Sequence, residues 1–249
     1  MIVILIPTYN EEANIGALHR GLESLFASEK KFYLFVDDHS SDKTVAALRS
    51  HFSATNLHII EKETNKGPGH SFNEGFNYIL EHLQECTAVV TIEADSTIDY
   101  KELEKMLVIK KLGFDLVLAS PYAQGGGFNK TSFFRKFLSF WANLMIRSIF
   151  NIKVLTVSSF VRIYDVSKLK EVKNKYGILI ENPGFFSMTE VLLKFIRSRA
   201  SVIEMPVTVF SDRREGKSKM KILKTSKDYL INLVKLNRKL NRHERAAKK

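Results

Sequence analysis

A doubly wound, mostly parallel α/β sheet is the fold class that this sequence of 249 residues predicts. In the first half of the chain, short β-branched runs alternate with amphipathic stretches, which is the pattern of parallel strands joined by crossover helices. The apolar content of 45% is enough to bury the core of one large domain. Because no internal repeat and no long linker divides the chain, we expect a single domain.

The first half of the chain is expected to hold five strands alternating with four helices. The expected strands are residues 2–6, 32–36, 57–61, 88–92 and 116–119, and the expected helices are residues 15–26, 44–52, 72–83 and 103–112. In such a sheet, ligands bind beyond the carboxyl ends of the strands. The loops at 7–14, 37–42, 66–69, 93–99 and 120–130 are therefore the places to search for chemistry.

The second half of the chain has a different pattern. We expect a helix over 132–149, an extended segment at 156–164, a helix near 188–197 and a strand over 201–210. Residues 123–130, which contain three consecutive glycines, are expected to form a loop or lid. Five aromatic residues in the first of these helices are expected to pack in the core, with a lipid-contacting face as the alternative. They are Phe133, Phe134, Phe137, Phe140 and Trp141.

The positive charge is concentrated at the end of the chain. The net charge is +11, and residues 213–249 carry 14 basic and three acidic residues, whereas residues 1–212 carry 24 of each. Between residues 221 and 240, apolar side chains recur at helical spacing among lysines, which predicts an amphipathic basic helix. We expect this helix to lie on an anionic membrane surface. The alternatives are a solvated terminus and, last, nucleic-acid binding, for which only Tyr229 is available to stack on bases.

The sequence also indicates a compartment. The single cysteine, Cys86, excludes an intramolecular disulfide and fits a reducing environment. The N-terminus lacks the basic start of a signal peptide, and the most apolar stretch, residues 137–152, is interrupted by Arg147. We therefore expect a cytoplasmic protein, peripheral on the inner face of the membrane, with no signal peptide and no transmembrane helix.

Acidic residues follow two of the expected strands. Glu93 and Asp95 flank Ala94 after the fourth strand, and Asp38 follows the second. Two carboxylates at a strand end suit Mg²⁺, which typically takes one or two carboxylates together with substrate phosphates. The alternative is that these acids cap the following helices, as Asp99 is positioned to do.

Four motifs in order resemble those of the family 2 glycosyltransferases with a GT-A fold. They are ILIPTYNE at 4–11, VDDHSSDKT at 36–44, NKGPG at 65–69 and EAD at 93–95. Two further segments resemble motifs of the dolichol- or polyprenol-phosphate sugar transferases. These are SSFVRIY at 158–164, similar to their central Ser-Phe-Arg segment, and PVTVFSDRREGKSK at 206–219, similar to their Arg-x-x-Gly-x-Ser-Lys end motif. The resemblance covers about residues 1–220.

The resemblance implies a GT-A domain over residues 1–220, with a nucleotide-sugar-binding half at 1–120, an acceptor half at 121–220 and a basic tail at 221–249. It implies an inverting transfer, dependent on Mg²⁺ or Mn²⁺, from a donor of the GDP-mannose or UDP-hexose type to a polyprenyl phosphate at the cytoplasmic membrane face. One alternative is transfer to a hydroxyl of a glycan or other cell-envelope acceptor. Another is an inactive nucleotide-sugar-binding protein, because Glu93 and Thr97 depart from the family pattern.

The resemblance also assigns residues to the donor. Pro7, Tyr9, Glu11, Asp38 and Lys66 match positions that hold the nucleotide. Asp95 matches the carboxylate that binds the metal, Glu93 replaces the first Asp of the usual Asp-x-Asp, and Thr97 stands as a weaker metal ligand.

Basic residues in the second half match positions near the donor and acceptor phosphates. They are Arg162, Arg214 and Lys219, and Arg135 is expected to join them at the acceptor phosphate; with Asp95, the first three are the expected catalytic groups. A phosphate acceptor is already anionic and needs no base, whereas a hydroxyl acceptor does. Glu190 is the expected base in that second case, and its alternative is an acid in the first turn of a helix.

Overall fold

The computed structural model describes residues 1–213 and 232–243. The strands are β1 (Ile2–Thr8), β2 (Lys31–Asp37), β3 (Leu57–Glu61), β4 (Ala88–Thr91), β5 (Leu116–Ser120), β6 (Gly127–Asn129), β7 (Arg162–Asp165), β8 (Val202–Pro206) and β9 (Thr208–Phe210). The helices are α1 (Glu12–Glu23), α2 (Thr44–His51), α3 (Pro68–His82), α4 (Lys101–Lys111), α5 (Phe133–Phe150), α6 (Val166–Tyr176), α7 (Ser187–Arg197) and α8 (residues 232–243), and a short 3₁₀ turn covers Ala54–Asn56.

Seven strands form one sheet in the order β3-β2-β1-β4-β7-β5-β8. Every neighbouring pair is parallel except those of β7, which is antiparallel to both β4 and β5. Because β7 is antiparallel to both of its neighbours, β4 and β5 run in the same direction. The carboxyl end of β5 therefore lies at the same edge of the sheet as those of β1, β2 and β4. The predicted mostly parallel, doubly wound sheet is confirmed, and the five strands and four helices expected in the first half are all present.

The sheet is covered on both faces. Alternate residues of β1 point to opposite sides, so that Val3 and Leu5 join one apolar cluster with α3 and α7, whereas Ile4 and Ile6 join another with α1 and α4. Such burial on both faces is typical of parallel strands that are joined by helices. The core therefore holds the strand ends rigidly, which places the loops that follow them.

The expected strand over 201–210 is instead two strands in different sheets. β8 pairs with β5 as far as Pro206, and β9 then pairs with β6 in a separate two-stranded parallel sheet. The switch occurs at Val207, whose N–H donates to Ser120 O and whose carbonyl accepts from Gly127 N. Proline lacks the N–H that a continued ladder needs, which favours a break at this point. The helix α6 was not predicted.

The prediction that the aromatic residues of α5 pack in the core is wrong. Phe133 is 82% exposed, and even the least exposed of the five, Phe137, remains 47% exposed. The buried residues of α5 are Asn143, Ile146 and Phe150, in its second half. The first half of α5 therefore projects an aromatic face from the body of the protein.

The described part of the basic tail packs against the protein. In α8, Leu233, Leu236 and Leu240 are buried in the same cluster as α6 and α7, and the ring of His243 contacts Tyr176 edge-on. The apolar face of this helix is therefore covered by protein and not by a membrane, which corrects the expectation for this part of the tail. Residues 221–231 of the expected helix and residues 244–249 lie outside the described residues. Within the described ranges, no helix is long and apolar enough to span a membrane.

Candidate active site

The loops that follow β1, β2 and β4 share an unusual backbone feature. Asn10, His39 and Ser96, one in each loop, have φ values of 53°, 64° and 56°. These left-handed conformations are uncommon for residues other than glycine, and such strained residues concentrate at functional sites. Their placement marks this edge of the sheet as the candidate active site.

The first two loops are joined by hydrogen bonds. The backbone N–H of Asn10 donates to Ser40 Oγ at 2.9 Å, and Asn10 Oδ1 accepts from the N–H of Ser41 at 2.7 Å. The N–H of Glu11 donates to Thr44 Oγ1 at 2.8 Å. These bonds hold Glu11 beside the second loop. The neighbouring Tyr9 keeps 37% of its surface exposed, and Pro7 lies within β1, paired with Val36.

Asp38 is buried and surrounded by donors. Its Oδ1 pairs with the ammonium of Lys62 and accepts the N–H of Lys66 at 2.9 Å, while Oδ2 accepts the N–H of Gly67 at 2.7 Å. Lys62 also donates to Ser71 Oγ at 3.2 Å. These donors fix the orientation of the Asp38 carboxylate.

Lys62 was missed by the sequence analysis. It is a buried residue that directly follows β3, so its position after a strand that ends at the functional edge was the available signal. A lysine is almost never fully buried unless it is paired. Its partner lies 24 residues earlier in the chain, so sequence spacing alone did not indicate the pair.

The turn that contains Lys66 packs between Asp38 and the backbone of Pro183. Gly67 has φ of 91°, and a Cβ at this position would lie 2.6 Å from Pro183 O. The N–H of Gly69 donates to the same Pro183 O at 2.7 Å. The side chain of Lys66 is exposed, whereas its backbone N–H is the group that touches Asp38. The turn therefore requires glycine, and it positions Asp38 through backbone atoms.

The third loop carries the expected metal ligands. Asp95 is 3% exposed, and its Oδ1 accepts from Thr97 Oγ1 at 2.9 Å and from Thr97 N at 3.2 Å. Burial raises the pKa of the Tyr100 hydroxyl to about 12, and the charge of Glu93 also acts to raise this pKa. The side chain of Asp99 accepts a hydrogen bond from the N–H of Lys101, the first residue of α4, at 3.1 Å.

This donor set fits a hard divalent cation. The candidate ligands are carboxylate and hydroxyl oxygens, which Mg²⁺ and Mn²⁺ prefer. Among the described residues, no group of three or more His, Cys, Asp or Glu is arranged to hold a metal ion. A site with two carboxylates is nevertheless consistent with a cation that takes its remaining ligands from substrate phosphates and water.

The end motif begins beside this loop. The N–H of Phe210, at the end of β9, donates to Thr97 O at 2.7 Å, and the guanidinium of Arg213 lies 3.8 Å from the centre of the Phe210 ring. The charge of Arg213 acts to lower the pKa of Tyr100, which is opposite to the effect of Glu93. Arg214 and Lys219 lie outside the described residues.

Arg162 does not reach the surface. Its side chain is fully buried in β7, where Nε donates to Ser159 O at 2.7 Å and a terminal nitrogen donates to Val157 O at 2.9 Å. In this arrangement Arg162 supports the segment before β7. Arg135, by contrast, lies half-buried in the first turn of α5, which Ser132 caps.

Glu190 is occupied by a structural network. The carboxylate is buried, it pairs with the ammonium of Lys194 at 2.7 Å, and it accepts the N–H of Glu181 at 3.1 Å and that of Asn182 at 2.9 Å. Lys194, with a fully buried side chain, also donates to Leu179 O. The geometry therefore assigns Glu190 to holding the loop before α7, and it does not support the expectation of a catalytic base.

The fold and the carboxylate-lined edge define a glycosyltransferase of the GT-A class. The sheet is Rossmann-like, and acids follow the strands at which nucleotides bind in such sheets. The match to the family described as glycosyl transferase family 2 extends over residues 3–173. The chain therefore belongs to family 2 of the glycosyltransferases, and it is an enzyme of that class.

Two curated relatives are similar to most of the chain. The polyprenol monophosphomannose synthase of Mycolicibacterium smegmatis is 27% identical over 226 residues, which cover 88% of this chain and 80% of that protein. The dolichol-phosphate mannosyltransferase of Pyrococcus furiosus is 27% identical over 237 residues, 94% of this chain and 63% of that protein. Within family 2, the chain thus resembles the polyprenyl-phosphate mannose synthases.

Solved structures show the same fold. The glucosyl-3-phosphoglycerate synthase of Mycobacterium tuberculosis, in complex with Mn²⁺, UDP and glucosyl-3-phosphoglycerate, has a TM-score of 0.67 at 16% identity, covering 95% of this chain and 79% of that chain. The S. aureus TarS fragment in complex with UDP-GlcNAc has a TM-score of 0.56 at 21% identity, covering 87% and 59%. These likenesses establish the fold.

Proposed function

We propose that the protein transfers a sugar from a nucleotide-sugar donor, of the GDP-mannose or UDP-hexose type, to a polyprenyl phosphate at the cytoplasmic face of a membrane. Two polyprenol- and dolichol-phosphate mannose enzymes match most of the chain, which supports this acceptor class. The observation that carries the proposal is the exposed aromatic half of α5. This helix follows β6, which pairs with β9, and the N–H of Phe210 in β9 donates to Thr97 O in the loop that carries Asp95. The helix offers an apolar surface to a lipid substrate next to the groups expected to bind the donor.

The donor is proposed to bind across the three strand-end loops. Asp38, fixed by Lys62 and the turn at Gly67, supplies an acceptor oxygen for the nucleotide. Tyr9 and Glu11 lie on the adjoining loop, which the Asn10 bonds tie to the second loop. Because hydrogen bonds within the protein connect these loops, little ordering is required when the nucleotide binds.

Asp95 and Glu93 would hold Mg²⁺ or Mn²⁺, with Thr97 supporting Asp95 through its hydroxyl. A cation bound there supplies positive charge against the diphosphate as it leaves. Arg213, beside Thr97, brings a fixed positive charge to the same loop. We propose that Arg214 and Lys219, in the same motif, also neutralise phosphate charge, and that Arg162 acts by positioning the segment before β7.

The acceptor phosphate is proposed to attack the anomeric carbon from the face opposite the leaving group, which inverts that carbon. A phosphate monoester is anionic at neutral pH, so it needs orientation and no general base. Arg135, at the start of α5, is the proposed contact for that phosphate. This route fits the buried pairing of Glu190 with Lys194, which leaves that carboxylate committed to structure.

Membrane attachment is proposed to occur through α5. The helix contains no acidic residue, and it combines Arg135, Lys136 and Arg147 with the exposed aromatic side chains. Aromatic residues and basic residues on one helix favour the interface of an anionic leaflet. In this proposal α5 takes the role of membrane contact that was expected of α8, because the protein core covers the apolar face of α8.

A donor and acceptor matrix tests the proposal. UDP- and GDP-sugars are incubated with undecaprenyl phosphate or with simple glycans, with and without Mg²⁺ or Mn²⁺. We expect metal-dependent product with undecaprenyl phosphate and inversion at the anomeric carbon. Transfer only to glycan hydroxyls would refute the assignment of a polyprenyl phosphate as the acceptor. Binding of the nucleotide sugar without metal dependence, together with no product, would instead indicate an inactive binding protein.

A further inference from the structure

The 181–184 loop, which precedes α7, touches the candidate donor site through its backbone. The carbonyl of Pro183 accepts the N–H of Gly69 at 2.7 Å. A Cβ at Gly69 would lie 2.1 Å from Asn182 O, so the two segments pack with no room for a side chain between them. The turn whose N–H groups donate to Asp38 therefore rests against this loop.

The loop is held from its other side by the buried pair of Glu190 and Lys194. The carboxylate of Glu190 accepts the N–H of Glu181 at 3.1 Å and that of Asn182 at 2.9 Å. The ammonium of Lys194 donates to Glu190 at 2.7 Å and to two backbone carbonyls just before the loop. The pair therefore fixes the two residues that precede Pro183.

The C-terminal helix α8 contacts the same loop. The ammonium of Lys239 pairs with the carboxylate of Glu181, which also lies 3.5 Å from the ammonium of Lys194. Leu236 and Leu240 are buried in the apolar cluster that α7 shares, which holds α8 in place. A continuous set of polar contacts thus runs from α8 to the 181–184 loop.

Asp38 takes most of its hydrogen bonds from the turn that this loop contacts. The backbone N–H groups of Lys66 and Gly67 donate to its carboxylate, in addition to the ammonium of Lys62. The orientation of a buried carboxylate depends on its donors, so a displaced turn would leave Asp38 less firmly held. The 181–184 loop is therefore placed to control how firmly Asp38 is oriented.

Resting on the donor site of the proposed function, we propose that Glu190, Lys194 and Lys239 are positioning residues for the nucleotide. They act through the 181–184 loop and the turn that it contacts. A nucleotide binds more tightly to groups that are already fixed, because less ordering accompanies binding. None of these three residues lies within residues 3–173, over which the chain matches glycosyl transferase family 2.

The first test compares two carboxylates that hold loops in the same way. Glu190→Gln removes the charge that pairs with Lys194 and keeps the size of the side chain. Its matched control is Glu204→Gln, because Glu204 also accepts two backbone N–H groups, those of Leu155 at 2.6 Å and Thr156 at 2.8 Å. Glu204 lies on β8, and four strands separate β8 from β2, which Asp38 follows.

A second pair of variants leaves the core intact, since Glu190→Gln breaks a buried ion pair. Lys239→Ala removes a side chain of α8 that is 41% exposed, and Lys235→Ala removes an exposed lysine from the same helix. Both variants are expected to fold, because neither change creates a cavity. Lys239→Arg keeps the charge beside Glu181 and should restore the wild-type affinity for the nucleotide.

Calorimetric titration with GDP and with UDP, in the presence of Mn²⁺, measures nucleotide affinity. For the nucleotide that binds, Kd should rise on the order of tenfold in Glu190→Gln. It should rise about two- to threefold in Lys239→Ala, because an exposed ion pair contributes little. Both control variants should keep the wild-type Kd, and Lys239→Ala should keep the wild-type kcat at saturating donor. Equal Kd values within each pair would overturn the proposal and leave these residues a purely structural role.

Hydrogen exchange of the backbone amides of Lys66 and Gly67, without nucleotide, tests the contact directly. Exchange should be faster in Glu190→Gln and Lys239→Ala than in the two control variants. Faster exchange at an unchanged Kd would refute the positioning role. Faster exchange in a protein whose wild type binds neither GDP nor UDP would refute the donor site and retain the coupling of loop and turn. Unchanged exchange with normal nucleotide binding would refute the coupling and retain the donor site.

Discussion

Replacement of Lys62 by methionine tests the central electrostatic feature of the donor site. The ammonium of Lys62 pairs with Asp38 inside the protein, where the two side chains are only 4% and 6% exposed. Methionine keeps most of the apolar stem and removes the charge. Asp38 would then be a buried carboxylate without its cation, and Ser71 Oγ would lose a donor.

The expected loss follows from this burial. Breaking a buried ion pair by removing one partner costs about 3–5 kcal/mol, because the remaining charge is uncompensated. The N–H groups of Lys66 and Gly67 still donate to Asp38, so we expect the lower end of this range, about 3 kcal/mol. Donor affinity should fall as well, since the carboxylate is then less firmly oriented. Lys62→Arg, which keeps the charge, should retain part of the stability and part of the affinity for the nucleotide sugar that Lys62→Met loses.

Urea unfolding followed by circular dichroism measures the loss. A double-mutant cycle of Lys62→Met with Asp38→Asn should show a coupling energy of about 2 kcal/mol, as contacting charged residues do. The matched control is Lys105→Met, whose lysine side chain in the surface pair with Glu102 is 65% exposed. That control should cost less than about 1 kcal/mol. A Lys62–Asp38 coupling below about 0.5 kcal/mol would refute the reasoning.

Three other predictions concern single sites. Asp95→Asn should lower kcat by about 100-fold or more at an unchanged unfolding midpoint, and full activity would remove the metal assignment. Leu240→Ala, at a fully buried position of α8, should lower the free energy of unfolding by about 2–5 kcal/mol, whereas a loss below about 1 kcal/mol in urea unfolding would place α8 outside the core. Burial raises the pKa of Cys86 to about 11, so at pH 8 only about 0.1% is thiolate. A thiol reagent should therefore react only after unfolding, and rapid labelling of the native protein would contradict this.

Local patterning predicted most of the sheet. The β-branched run at 2–6 became β1, which extends to Thr8, and the alternation of runs with amphipathic stretches predicted every strand and helix of the first half. The strand pattern also predicts that the motif loops lie at one edge of the sheet, because the carboxyl ends of parallel strands meet there. The resemblance of these loops to the family motifs then predicts that Tyr9, Asp38 and Asp95 belong to one site.

Patterning did not reveal how the second half is arranged. The strand β7 enters the sheet antiparallel between β4 and β5, and Pro206 ends β8 so that β9 joins another sheet. Neither feature is local, since each depends on which strand edges the rest of the sheet leaves available. The burial of Arg162 follows from the same placement, because β7 is an interior strand of the sheet.

The sequence alone determined the class of fold, the family and the edge proposed to carry the chemistry, because these depend on periodicity and on short motifs. Only the tertiary structure decided which apolar faces are covered. Helical periodicity shows that a face is apolar and does not show what packs on it, so α8 was expected on a membrane and is buried, whereas the aromatic half of α5 was expected in the core and is exposed. The pairing of Lys62 with Asp38 was likewise decided by the fold, because two charges 24 residues apart meet only after β2 and β3 have aligned.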